Sequence, residues 1–264
     1  MLEKINEKNY DFPMNYCDAH THLQDVSDLP AVMARAKASG VCDFICNATH
    51  EADWPKVMEI ARKYPGVSVA LGVHPWFLQT LSTGWEKRLE QLLKDNPSFM
   101  VGEIGLDKIK ANNDPIVSGL DNQERVMRIQ LDLAVKYNRP FHMHCVRAWD
   151  RILHILKSNK RPPVFVSHSH HGNADVIPKM VQMGAYFSYS SIFLPENREK
   201  VRQCIKETPP DRLLVESDAP DLAAEPAAVP GLIDQMAVLR KENPVVLTKH
   251  IYQNFKELVH GRSI

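Results

Sequence analysis

Three pairs of histidines in this 264-residue sequence are separated by a single residue. Chance would supply about half of one such pair in a chain with 12 histidines. Residues spaced by two in a β-strand point to the same face, so one strand can offer two imidazole nitrogens to one metal ion. The pairs are His20 with His22, His142 with His144, and His168 with His170. Their spacing predicts metal binding.

Two carboxylates stand in comparable surroundings. Glu103 lies between apolar runs in VGEIGLD, and Asp218 follows the apolar residues of LLVESDAP. A carboxylate buried in a protein interior needs a cationic partner, and a metal ion supplies one. We therefore expect Glu103 and Asp218 to be metal ligands, with Glu216 supporting Asp218 from the same strand face.

The histidine pairs are not equivalent. Both His20 and His22 are expected to be ligands, because the acidic Asp18 precedes them. His144 is favoured over His142 because it lies nearer the end of its strand, and His142 would then support the ligands. Within SHSHHG the favoured ligand is the first histidine, His168. The other two, His170 and His171, stay open between substrate contact and ordinary loop.

These residues need a frame that brings distant strand ends together. Eight short apolar runs alternate with helical patterns, and the predicted strands cover 16–23, 41–48, 67–74, 99–106, 139–146, 164–170, 185–192 and 212–219. Such alternation indicates parallel strands joined by right-handed crossovers, and eight units in about 250 residues are typical of a (β/α)8 TIM barrel. We expect one α/β barrel domain over residues 1–264, with 1–15 as an N-terminal extension. The C-terminal strand ends would share one mouth.

The helices and loops carry further expectations. Helical periodicity is expected in LPAVMARAKASG, which ends at Gly40, and in NQERVMRIQLDLAVKYN. The helix in TGWEKRLEQLLKDN is expected to begin with a capping box of Thr83 and Glu86. The longest irregular stretches, 108–119 and 219–230, each follow a strand, where the functional loops of a barrel lie.

Composition limits the partners. The 32 basic and 32 acidic residues cancel, so any attraction for phosphate must be local. The polar first fifteen residues and the absence of a long apolar run predict no membrane association. Five scattered cysteines without a CxxC pair favour the reduced cytoplasm. Nothing in the sequence indicates an obligate protein partner.

Six motifs occur in an order that resembles the TatD-like metal-dependent hydrolases, a nuclease branch of the amidohydrolase-type barrels. The motifs are DAHTHL, LGVHPW, VGEIGLD, HMHCVRAWD, VSHSHHG and VESDAP. The resemblance implies two divalent ions, one bound by His20 and His22 and the second by His144 and His168. It implies that Glu103 bridges the ions, that Asp218 lies beside the hydrolytic water, and that His74 contacts phosphate.

Two departures from that family concern the substrate. Val146 stands where the family often has arginine, with Arg147 one position later, and HSHHG replaces the commoner HxFSG. Hydrolysis of a phosphodiester needs a strong nucleophile, and two ions about 4 Å apart can lower the pKa of water from about 15.7 to about 7. Asp218, with Glu103, would perform catalysis, while His74, Arg147 and Lys108 would hold the phosphate. The ligands suit zinc, manganese or magnesium.

We therefore expect a metal-dependent deoxyribonuclease that attacks nucleic acid from an end, with single-stranded DNA as the favoured substrate. The alternatives are an amidohydrolase-type enzyme for another small ester, amide or phosphoester, and a non-catalytic metal-binding barrel. Phosphotriesterase-like and lactonase-like enzymes usually bridge their ions with a carboxylated lysine, where this chain has Glu103. Four aromatic residues near strand ends are candidates for base stacking or for packing, namely Trp76, Phe77, Tyr189 and Phe193.

Overall fold

Eight parallel strands form the frame of the protein in a computed structural model that describes residues 14–159, 162–222 and 225–261. Their order in the sheet follows the chain, and every neighbouring pair is parallel. The strands are β1 (Tyr16–Thr21), β2 (Val41–Asn47), β3 (Val67–Leu71), β4 (Met100–Asp107), β5 (Phe141–Val146), β6 (Phe165–Ser167), β7 (Ala185–Tyr189) and β8 (Leu213–Val215). The predicted (β/α)8 barrel is confirmed. Most of the predicted N-terminal extension, residues 1–13, lies outside the described residues.

The segment that follows β8 lies beside β1, the first strand of the sheet. The backbone N–H of Asp218 donates to the carbonyl of His20 at 3.0 Å, and the N–H of His22 donates to the carbonyl of Ala219 at 2.8 Å. These bonds pair the segment after β8 with the end of β1. The ends of β1 and β8, which are far apart in the sequence, are therefore neighbours at the mouth of the barrel.

Helices cover the outside of the strands. Those in the described residues are α1 (Leu29–Ala38), α2 (Trp54–Lys63), α3 (Trp85–Asp95), α4 (Lys108–Asn113), α5 (Leu120–Tyr137), α6 (Trp149–Ser158), α7 (Ile177–Gln182), α8 (Glu199–Glu207), α9 (Val229–Arg240) and α10 (Pro244–His260). Their apolar faces pack on the sheet; in α3, for example, Trp85, Leu89 and Leu93 recur every four residues and are buried. None of the described helices is both long and apolar enough to cross a membrane.

All eight predicted strands are found, but several end earlier than predicted. β3 stops at Leu71, β6 at Ser167 and β8 at Val215, so three site residues stand in the turns that follow these strands. The backbone there leaves the ladder for other partners: the N–H of Ser217, for instance, donates to the carboxylate of Asp18 at 2.9 Å. After β8, a side-chain acceptor at the mouth thus takes the place of a strand neighbour.

Two local predictions were wrong. Helix α3 has no capping box, because Gly84 is its N-cap residue with φ of 76° and no side-chain cap, and the carbonyl of Thr83 accepts from Arg88 instead. The stretch 108–119 is not wholly irregular, because it begins with α4. The carboxylate of Asp107 caps that helix by accepting from the N–H groups of Ile109 and Lys110.

Candidate metal centre

The histidine pair of β1 faces the barrel interior at the mouth. His20 and His22 are both buried, and their Nε2 atoms lie 3.3 Å apart. The same two atoms lie 3.3 and 3.5 Å from Oε2 of Glu103. A spacing of two along the strand has therefore placed two imidazole nitrogens against one carboxylate oxygen.

Glu103 lies at the centre of the cluster, inside β4 and only 3% exposed. While its Oε2 faces β1, its Oε1 faces three other rings: Nδ1 of His144 at 2.9 Å, Nε2 of His168 at 3.1 Å and Nε2 of His74 at 3.5 Å. The two oxygens of one carboxylate thus address two separate groups of imidazoles. This is the geometry that a bridging ligand requires.

Asp218 closes the cluster on the β8 side. Its Oδ1 lies 3.4 Å from Nε2 of His22 and 3.8 Å from Nε2 of His20, yet it is buried and makes no hydrogen bond among the described residues. The residue has a left-handed backbone with φ of 53°, a conformation that costs energy for a residue with a side chain and collects at functional sites. The fold therefore holds at the mouth a buried carboxylate oxygen that faces two imidazoles without a hydrogen bond.

The outer nitrogens of two rings have partners that fix ring orientation. Nδ1–H of His22 donates to the carbonyl of Asn47 at 2.9 Å. Nδ1 of His168 lies 3.2 Å from Oε1 of Glu216, so this glutamate supports His168 rather than the predicted Asp218. When either ring is neutral, the lone pair of its Nε2 then faces the cluster, which is the usual arrangement of metal-binding imidazoles.

His74 is oriented the other way. Its Nδ1 accepts the backbone N–H of Trp76 at 3.2 Å, so the proton of the neutral ring resides on Nε2, the atom that faces Glu103. Burial, together with the neighbouring His144, holds the pKa of His74 well below its ordinary value despite the Glu103 carboxylate. His74 thus presents a hydrogen-bond donor to the site rather than a lone pair.

The β5 pair is divided between the cluster and the barrel interior. His144 lies between two carboxylates, with Nδ1 facing Glu103 and Nε2 3.5 Å from Oδ2 of Asp107. His142 is fully buried below the cluster, 3.4 Å from His20 between Nδ1 atoms, and its Nε2 has no hydrogen-bond partner among the described residues. Asp107 was missed by the sequence analysis, although its even spacing from Glu103 along β4 puts both on one face.

The other predicted contacts lie outside the cluster. Arg147 and Lys108 are exposed at the ends of β5 and β4, beside residues that line the mouth. His170 is buried, and His171 is half-buried in the same loop with Nδ1 2.8 Å from the carbonyl of Ser169. Tyr189 cannot stack on a substrate because its side chain is buried and its hydroxyl is hydrogen-bonded to the hydroxyl of Thr208. The side chain of Phe193 lies outside the described residues.

The charges in the cluster depend on one another. Burial acts to raise the pKa of Glu103, yet the surrounding imidazoles, with His168 first, hold it well below its ordinary value. Burial acts to lower the pKa of His22, but the carboxylates of Asp218 and Glu103 reverse this and raise it to about 9. The pKa of His168 is likewise raised well above its ordinary value by Glu103 against the effect of burial. The carboxylates of the cluster therefore stabilise positive charge on the groups between them.

Divalent ions bound in the cluster would supply this positive charge. His20 belongs to two groups of three potential metal ligands. The first group is His20, His168 and Asp218, and the second is His20, His22 and Glu103. In each of these groups the ligand atoms lie within 4.8 Å of one another. Facing ring nitrogens at 3.3 Å cannot both be protonated without repulsion, and Oδ1 of Asp218 is buried with no hydrogen bond among the described residues. The donor set therefore fits metal ions, which would replace protons on the imidazoles.

A buried cluster of imidazoles and carboxylates at the mouth of a (β/α)8 barrel is the site of a metal-dependent hydrolase. The sequence model of a protein family described as TatD related DNase matches residues 17–260. The chain therefore belongs to the TatD-related DNase family and is an enzyme that hydrolyses ester bonds with the help of metal.

Individual relatives agree with this assignment. The chain is 31% identical over 212 residues to the "Uncharacterized metal-dependent hydrolase YjjV" of Escherichia coli K12, covering 78% of this chain and 80% of that one. It is 28% identical over 253 residues to the "3'-5' ssDNA/RNA exonuclease TatD" of Edwardsiella piscicida, covering 90% and 95%. The crystal structure of the Escherichia coli TatD homologue YjjV superimposes with a TM-score of 0.86 at 26% identity, over 94% of this chain and 99% of that one.

Proposed function

We propose that the protein is a nuclease that hydrolyses phosphodiester bonds of single-stranded nucleic acid, DNA foremost, from the 3′ end. The observation that carries the proposal is the division of Glu103, whose two oxygens face different groups of imidazoles. That division suits two ions held side by side, and paired ions suit the in-line displacement of phosphodiesters. The relative from Edwardsiella piscicida, which is named as a 3'-5' ssDNA/RNA exonuclease, supports the substrate class and the direction of attack.

Six residues would hold two divalent ions, with magnesium, manganese and zinc as the candidates. His20 and His22 would bind one ion, His144 and His168 the other, with Glu103 between them and Asp218 on the open side. Ions bound there would neutralise charge on the phosphate and lower the pKa of water. The chain's own residues would supply positioning and proton transfer.

Asp218 would act as the general base. Its Oδ1, which makes no hydrogen bond among the described residues, can accept a proton from water as that water attacks phosphorus and the bond to the leaving oxygen breaks. Burial acts to raise the pKa of Asp218, but His168 and the β1 imidazoles lower it to about 2, so the carboxylate is ionised at neutral pH. A positioned base of this kind contributes roughly 10² to 10⁴-fold to the rate.

Three residues would hold the scissile phosphate. His74 offers Nε2–H as a neutral donor to a phosphate oxygen, because Trp76 occupies its Nδ1. Arg147 and Lys108 are exposed cations at neighbouring strand ends and can approach the flanking phosphates. With no net charge on the molecule, these local groups replace a general electrostatic attraction.

The proposed location is the cytoplasm. All five cysteines are free, and four of them are buried. Burial raises the pKa of Cys145 to above its ordinary range and that of Cys46 to about 12, so these thiols stay protonated. A reducing compartment suits such a set.

The test uses the metal-loaded protein with 5′-labelled oligonucleotides of one sequence as single-stranded DNA, single-stranded RNA and duplex DNA. We expect a ladder that shortens from the 3′ end, fastest with single-stranded DNA, in magnesium, manganese or zinc. A matched preparation of Asp218→Asn shows whether cleavage belongs to this protein. Single strands left intact with all three metals would overturn the proposal.

A further inference from the structure

Trp76 is exposed at the mouth of the barrel. Its side chain is 48% exposed, whereas Trp54 and Trp85 are 3% and 5% exposed within the core. Single exposed apolar residues are common and need no explanation by themselves. Trp76 differs from them because polar contacts hold its ring and backbone against the cluster of imidazoles and carboxylates.

The indole is tied to the wall of the site at two points. Its Nε1–H donates to Oδ2 of the buried Asp107 at 2.7 Å, and the same carboxylate oxygen lies 3.5 Å from His144. The backbone N–H of Trp76 donates to His74, whose ring stands edge-on to the indole at 5.5 Å between centroids. The ring is therefore fixed by His74, which contacts Glu103 directly, and by Asp107, which contacts the Glu103 partner His144.

A fixed and exposed aromatic face is suited to stacking. Base stacking on an aromatic side chain contributes about 5- to 150-fold in affinity and tolerates any base, because every base has a π face. A ring that is already held in place loses little conformational freedom when a ligand covers it. Lys108 follows Asp107 in the chain and is exposed, so a cation stands close to the same edge of the mouth.

We propose that Trp76 is the platform on which the base next to the scissile phosphate stacks. The inference rests on the proposed nuclease function and deepens it by assigning a nucleobase subsite. Inside a duplex the faces of each base are covered by its stacked neighbours, so this subsite favours single strands over duplex. Trp76 acts on affinity and alignment, while the cluster around Glu103 carries the chemistry.

The test compares substrates that have or lack one base. Single-stranded oligonucleotides are prepared intact, or with a stable abasic unit at the 3′-terminal or at the penultimate position. Each is cleaved by the metal-loaded wild type, Trp76→Ala and Trp76→Phe, and by Val238→Ala as a control at an 80% exposed position on α9. Bound metal is measured on the same preparations.

We expect Trp76→Ala to lower kcat/KM on the intact strand by about 5- to 150-fold, mainly through KM. Trp76→Phe keeps a stacking ring and stays within about fivefold of wild type. With the abasic unit at one of the two positions, wild type and Trp76→Ala become equal within about twofold, because no base is left to stack. Val238→Ala and the metal content do not change.

Two results would overturn the inference alone: an equal loss for Trp76→Ala on all three substrates, which indicates a structural role, or no loss on the intact strand. If the wild type leaves every oligonucleotide intact, the proposed nuclease function fails and this inference fails with it. The two failures are therefore distinguishable.

Discussion

Glu103 is the residue on which the site depends. A carboxylate buried without compensation would cost several kcal/mol, and five imidazoles compensate it from two sides. Its anionic form raises the pKa of His22 and His168, so that the metal-free cluster binds protons. Metal binding and proton binding therefore compete at the same nitrogens.

The variant Asp218→Asn distinguishes the role of Asp218 as a base from metal binding by the cluster. The amide keeps the shape of the side chain but cannot accept the proton, so we expect turnover to fall by roughly 10² to 10⁴-fold. Most of the metal should remain, because four histidines and Glu103 are unchanged. Turnover of a labelled single strand and elemental analysis on the same preparation check both parts.

His171→Ala is the comparison for that variant. His171 is half-buried in the loop after β6 and is not among the residues of the described chain that could together hold a metal ion. We expect its activity to fall by less than about tenfold. An inactive His171→Ala beside a fully active Asp218→Asn would move the chemistry to the loop.

His170 should make the stability of the protein depend on pH. Its ring is buried between Trp149 and Phe187, with Nδ1 2.9 Å from Ser167 and no hydrogen-bond partner for Nε2 among the described residues. Burial, with a smaller effect from His171, lowers its pKa from 6.5 to about 3. The folded state therefore holds fewer protons than the unfolded state between these values, and stability falls as pH decreases from 6.5 towards 3.

The variant His170→Phe removes this titration. Relative to wild type, it should gain about 2 kcal/mol of unfolding free energy at pH 5 compared with pH 8. Urea unfolding of both proteins in chelator checks the difference, because the other histidines titrate equally in both. An unchanged difference between the two pH values would show that His170 is not held neutral.

At the scale of elements, the sequence predicted the strands better than their ends. Period-two and apolar patterns located all eight strands, since burial on both faces leaves a clear apolar run. They could not locate the turns after Leu71, Ser167 and Val215, because these depend on long-range partners. The carboxylate of Asp18 accepting from Ser217, about two hundred residues along the chain, is one such partner.

The site was predicted in part for the same reason. Strand-end positions identified the residues that gather at the mouth, since a barrel brings its strand ends together. Which nitrogen of His74 faces inward depends on the N–H of Trp76, and the support of His168 by Glu216 depends on how β6 and β8 lie. Neither contact leaves a pattern in the sequence.

The close approach of β4 to β5 depends on a glycine. A Cβ added at Gly105, where φ is 155°, would lie 1.9 Å from the carbonyl oxygen of His144. The backbone cannot yield cheaply, so Gly105→Ala should destabilise the fold by about 3 kcal/mol or more. Gly231→Ala in α9 meets nothing within 4 Å and should be neutral or stabilising by up to about 1 kcal/mol. Thermal unfolding compares them, and equal stability of the two variants would contradict the packing account.

At the scale of the whole molecule, the zero net charge means that the proposed binding of nucleic acid would depend on a few local cations. Asp218→Asn is used as the background because it slows cleavage. In that background, Lys108→Gln and Arg147→Gln should each reduce the slope of log affinity against log salt by about 0.7 for a single strand. The matched control is Lys206→Gln on α8, which should leave the slope unchanged. Affinity measured from about 50 to 200 mM salt gives the slopes. Slopes unchanged by the first two substitutions would remove those residues from the substrate path.

The most direct test of the account is the number of ions that the barrel holds. Elemental analysis of protein reconstituted with manganese or zinc and then desalted should give two ions per chain for the wild type. Glu103→Ala and the shape-preserving Glu103→Gln should both hold fewer, because neither offers a carboxylate to both groups of imidazoles. A folded wild type that retains no ion, or Glu103 variants that retain two, would contradict the central claim.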